Sequence, residues 1–109
     1  MAFPTNGRWD AEFQLKNKNG NNISLAGKQF AMGFVSELRK ETPDLILSTM
    51  EGTLETRGSG ILKMNVPYSI VKTLNQGEYY FDIIEILDGG DQGFVAEGKI
   101  YLRRGITRL

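Results

Sequence analysis

Residues 79–103 read YYFDIIEILDGGDQGFVAEGKIYLR, two runs of β-branched and aromatic residues separated by a glycine-rich acidic loop. In the first run Tyr79, Phe81 and Ile83 alternate with Tyr80 and Asp82, the period of two that sends every second side chain of a strand to one face. Ile84 and Ile86 then carry the apolar positions out of that register. A one-residue bulge at Ile83 and Ile84 restores a single buried face and leaves Asp82 and Glu85 toward water. The returning run places Phe94, Ala96, Gly98, Ile100 and Leu102 on one side. Asp88 to Gly93 has the composition of a hairpin loop, so the two runs are predicted to pair antiparallel.

The same grammar extends upstream. Trp9, Ala11, Phe13 and Leu15 alternate with Asp10, Glu12, Gln14 and Lys16, a half-buried strand. Asn17 to Asn22 forms a turn around Asn19-Gly20, and Ile23 to Leu25 returns as a short strand. Gln29 to Arg39 sets Phe30, Met32 and Phe34 on one face, and a bulge or bend near Gly33 is expected because Val35 and Leu38 leave that register. Leu45 to Met50 and Gly52 to Arg57 follow as strands, and Gly58-Ser59-Gly60 turns the chain. Ile61 to Val66 presents Leu62, Met64 and Val66 on its apolar side. Tyr68, Val71 and Leu74 are spaced three apart behind Pro67, which predicts one short helical turn within 67–74, with Pro67 at its first position. Short strands punctuated by 13 glycines predict an all-β, antiparallel β-sandwich, immunoglobulin-like or jelly-roll-like. Residues 1–8 are expected to be an N-terminal arm, and 9–109 a single sandwich domain.

Composition narrows the function. The chain has 109 residues, 40% hydrophobic and 24% charged, with 13 basic residues balancing 13 acidic ones. There is no excess charge to attract nucleic acid by counterion release, no apolar run of bilayer length and no signal-peptide pattern. The expectation is a protein without nucleic-acid or membrane partners. Histidine and cysteine are both absent, which removes the commonest general base, the thiolate nucleophile and the usual zinc ligands. Carboxylate chemistry survives. Asp82 and Glu85 would share one face of a bulged strand as an acid pair for glycoside hydrolysis, although solvent-facing charges are the simpler reading. Asp88 and Asp91 lie in a loop that superficially resembles a calcium loop but is shorter than the EF-hand pattern of about twelve residues, and a plain hairpin turn is the preferred reading. The prediction is a non-enzyme with no cofactor and no metal.

The candidate binding residues are Phe3, Trp9, Arg103, Arg104 and Arg108. Phe3 anchors a partner if residues 2–7 form an arm; Trp9 serves either that interface or the core. The three arginines give the end of the chain a local positive charge, which either docks on an acidic protein surface or is solvated. Trp9, Tyr79, Tyr80 and Tyr101 are candidates for stacking on sugars, the basis of an alternative as a carbohydrate-binding module.

Asn19-Gly20, Ile23-Ser24-Leu25-Ala26-Gly27, Gly60 to Pro67, Leu74 to Ile83, Glu97 to Leu102 and Ile106-Thr107-Arg108 together form a pattern that resembles a family of small tailed-bacteriophage virion proteins. It is similar to the N-terminal β-sandwich domain of phage baseplate upper proteins, with Ala26 where that family often has Thr. The resemblance implies a structural virion protein assembled in the host cytoplasm. Its expected role is capsid decoration or cementing, with the major capsid protein as partner. A small tail, neck or baseplate adaptor is the alternative, and a homodimer is a further option.

Overall fold

The computed structural model describes residues 2–37, 41–58 and 60–104. Its strands are β1 (Ala2–Pro4), β2 (Glu12–Gln14), β3 (Gln29–Val35), β4 (Leu45–Ser48), β5 (Leu54–Arg57), β6 (Ile61–Met64), β7 (Gly77–Ile86) and β8 (Gln92–Arg103), with one helical turn α1 (Tyr68–Val71). They form a five-stranded sheet in the order β1-β8-β7-β3-β4 and a three-stranded sheet in the order β2-β6-β5. Every pairing is antiparallel except that of β1 with β8. The protein is an all-β sandwich.

Alternation places the core. Phe30, Met32 and Phe34 of β3, Ile83 of β7, and Ile100 and Leu102 of β8 are buried from the large sheet; Leu54 of β5 and Leu62 and Met64 of β6 meet them from the small one. Trp9 is 2% exposed and links the layers. Its main chain exchanges hydrogen bonds with Val66 at 3.0 and 3.1 Å, in line with the small sheet. Its ring lies 5.3 Å from Phe3 and 6.1 Å from Phe34, both in the large sheet. The series continues from Phe34 to Phe81 at 6.0 Å and from Phe81 to Phe13 at 6.3 Å, crossing back to β2. The indole Nε1–H donates to the Pro4 carbonyl at 2.9 Å, so the buried polar atom is satisfied.

Five expectations change. Residues 2–5 do not form an arm: β1 completes the large sheet, and Thr5 N–H donates to the Arg103 carbonyl at 3.1 Å. No bulge occurs at Gly33, because β3 pairs continuously with β4 and β7 through it. The strand Trp9 to Lys16 is ordered as β2 alone, flanked by isolated bridges Trp9 with Val66 and Lys16 with Asn22, since the chain changes partners along its length. Ile23 to Leu25 contributes a hydrogen bond from Ile23 N–H to the Leu15 carbonyl and a buried Leu25 rather than a strand. The helical turn falls within 67–74 with Val71 and Leu74 buried, and Pro67 is its cap in extended conformation. Leu38, Arg39 and Ser59 lie outside the described residues.

The bulge at Ile83 and Ile84 is present, with the opposite geometry. Ile83 pairs with Ala96 and Ile84 with Phe94, so the extra residue is Val95 on β8. β7 therefore keeps its alternation while β8 switches faces. Two residues on one strand against one on the other is the defining count of a bulge, and the apolar triplet Phe94-Val95-Ala96 accommodates either phase.

Two substitutions test this packing. Trp9→Ala is expected to lower stability by about 3–5 kcal/mol in urea unfolding, because it removes the ring shared by both sheets. Gly60 has φ +80°, and a Cβ there would lie 2.8 Å from the Leu15 carbonyl oxygen and 2.9 Å from that of Ile23. Backbone atoms cannot rotate away, so Gly60→Ala is expected to cost at least about 2 kcal/mol by the same measurement.

Candidate functional site

The predicted interface residues separate in space. Trp9 is core, and Phe3 is half-buried against it. Their burial follows from β1 joining the sheet. Arg103 closes β8 on its outer face, opposite Pro4. Arg104 instead lines a polar pocket of about 370 Å³ with Thr5, Lys72, Asn75 and Gln76. Arg108 lies outside the described residues.

The acid pair read from sequence also separates. With β7 unbulged, Asp82 and Glu85 are an odd number of positions apart and point to opposite faces. The carboxylate that does adjoin Asp82 is Glu97, its direct partner across the β7–β8 ladder. Of the proposed sugar-stacking aromatics, Trp9 and Tyr79 are buried, and the Tyr79 hydroxyl donates to the Asn75 carbonyl at 3.0 Å. Tyr80 and Tyr101 remain at the surface. The Asp88–Gly93 loop closes as a hairpin, with Leu87 N–H donating to the Asp91 carbonyl at 2.8 Å. Among the described residues no group of three or more His, Cys, Asp or Glu is placed to hold a metal ion.

What the strands build is a contrast between two outer faces. On the small sheet the outward row runs Glu12, Lys63, Glu55 across the strands, and Arg57 pairs with Glu55 at 2.9 Å. Opposite charges side by side make this an ordinary solvated face. The outer face of the large sheet is mixed. It carries Ala31, Gly33 and Val35 of β3, Tyr80, Asp82, Ile84 and Ile86 of β7, and Ile46 of β4, which is 55% exposed. The switch at Val95 adds Phe94, which is turned outward beside Ile84 and is 68% exposed. Sequence alternation assigned Phe94 to the inner face; its exposure follows from the strand on which the bulge sits.

Towards the centre of this face is a groove of about 520 Å³ lined by Gly33, Val35, Pro43, Tyr80, Asp82 and Glu97, among others. Gly98 lies on the opposite side of β8, where a Cβ would approach Phe81 Cζ to 2.9 Å. That glycine lets the Phe81 ring lie across the strand toward Phe13. Lys99, on the outer row, holds its Nζ 5.3 Å from the centre of the Tyr80 ring and 3.9 Å from Glu78 Oε1.

No family model matches the chain, and no curated protein matches it. Among solved structures it is similar to the V domain of amphioxus IgVJ-C2, at 15% sequence identity and a TM-score of 0.30, over 94% of this chain and 98% of that one.

Gly33, unlike Gly77 and Gly98 of the same sheet, has both room and an ordinary backbone conformation for a Cβ. The nearest atom to a Cβ built there is Asp82 Oδ1 at 3.6 Å, an ordinary contact, and its φ is not in the positive range. Gly33→Ala is expected to raise stability by about 0.4–1 kcal/mol in urea unfolding while it narrows the groove.

Proposed function

We propose that the chain is a structural protein of a tailed-bacteriophage virion, a decoration or cement protein that binds and stabilises the assembled capsid shell, with the major capsid protein as its partner. The setting rests on the pattern of turn and core residues that resembles small virion β-sandwich proteins. The observation that carries the binding role is the outward Phe94, set with Ile84 and Ile86 at one end of the large sheet, while the other outer face is covered by paired charges. Aromatic side chains with few rotatable bonds supply contact area at low entropic cost, which is why they anchor interfaces.

Purified virions test both parts. The chain is expected at a fixed copy number per capsid, and capsids lacking it are expected to lose DNA at lower temperature. Phe94→Asp is expected to abolish its retention on capsids while leaving its thermal unfolding unchanged. Recovery with tail or neck complexes would assign the adaptor role instead, and absence from the particle would overturn the virion setting.

A further inference from the structure

The outer row of β8 has a charge order suited to a second copy of the same chain. Beyond the bulge, Glu97, Lys99, Tyr101 and Arg103 occupy alternate positions and face outward, because Ala96, Gly98, Ile100 and Leu102 between them face the core. The order along the row is negative, positive, aromatic, positive. Tyr101 is 50% exposed. Among the described residues Glu97 and Arg103 have no side-chain hydrogen bond or ion pair, and Tyr101 has no ring partner.

A two-fold axis through this row at residue 100 pairs positions equidistant from it. Glu97 then meets Arg103 of the other copy, and Lys99 meets Tyr101, each contact occurring twice, as an isologous interface requires. Asp82 stands beside Glu97 on β7, so each arginine faces two carboxylates. Those carboxylates are like charges directly opposite each other, an arrangement unfavourable in the isolated sheet that an incoming guanidinium relieves. Lys99, already over the Tyr80 ring, is enclosed between that ring and the partner's tyrosine, and cation–π contacts strengthen as water is excluded. Sheets pack face to face about 10 Å apart, a spacing these long side chains span. Because β3 ends at Val35, level with Tyr80 and Lys99, the axis lays β7 and β8 of one copy over β7 and β8 of the other, a contact smaller than the ~800 Å² per partner of a standard interface and dominated by its charged pairs.

We infer that the chain forms an isologous homodimer through the outer face of β7 and β8, held by Glu97–Arg103 pairs and Lys99–Tyr101 contacts across a two-fold axis at Ile100, in the C-terminal half of β8. Phe94 lies about six residues from that axis, toward the end of the sheet, so the dimer and the capsid contact use different parts of the face and fail independently.

Sedimentation velocity and equilibrium on the isolated chain decide the matter. The wild-type chain is expected to dimerise, with a dissociation constant that rises several-fold from low to high salt. Glu97→Arg alone sets like charges against Arg103 of the other copy, and Arg103→Glu alone sets them against Glu97; each is expected to weaken the dimer at least tenfold. Mixing the two variants brings opposite charges together at both contacts, so a heterodimer is expected to form from two chains that are monomeric alone. That recovery also establishes that both variants are folded. Phe94→Asp is expected to leave the dimer intact. A wild-type chain that stays monomeric to millimolar concentration, a dimer insensitive to either reversal, or variants that do not associate on mixing would each overturn the proposal. Dimerisation through another face, or use of this row by a different protein alone, would appear as the second or the first of these outcomes.

Discussion

Trp9 is the constraint on which the rest of the sandwich depends. Its main chain belongs to the small sheet through Val66, and its ring lies among side chains of the large one. Its indole nitrogen secures the strand that precedes it by bonding to Pro4. One residue thus sets the spacing of the layers and the entry of the chain. Because Phe3 must reach the Trp9 ring, β1 is drawn alongside β8 in the parallel sense, and the edge that β8 would otherwise expose is covered. The aromatic series through Phe34, Phe81 and Phe13 continues the same coupling across the core, each pair adding about 0.5–1.5 kcal/mol beyond simple burial.

With the inner faces committed to that core, specificity is left to the outer ones, and the two sheets use them differently. The small sheet presents alternating charges that neutralise one another within the chain. The large sheet separates its features along β8: an apolar end at Phe94, a central groove beside Asp82 and Glu97, and a basic end at Arg103. The bulge at Val95 makes this possible, since without it Phe94 would share the inner face with Ala96 and the apolar end would be absent. A single irregularity in the ladder converts a core residue into a surface one. The outer face acquires an exposed aromatic ring without any change in composition.

Much of the fold was legible because alternation is a local property. The buried faces of β3 and β6, the class, the hairpin of β7 with β8 and the location of its irregularity all follow from periodicity and turn residues read a few positions at a time. The site was less legible. Placing the extra residue on β7 gave Asp82 and Glu85 a common face and sent Phe94 inward; both conclusions reverse when the extra residue is Val95, because every side chain beyond a bulge changes sides. Neither strand alone reveals which of them carries the insertion, as Ile83-Ile84 and Phe94-Val95-Ala96 are equally apolar.

By itself, then, the sequence determined an all-β sandwich with its principal core positions and, through the lack of histidine and cysteine, the narrow range of chemistry open to it. Tertiary structure decided the three matters that depend on pairing between distant segments: that residues 2–4 are a sheet strand, that Trp9 is a clasp between layers, and that Phe94, Lys99, Tyr101 and Arg103 share an outer face with Glu97. The physical reason is the same in each case. Periodicity says which side chains of one strand agree with each other, and only the partner strand says which way that set points.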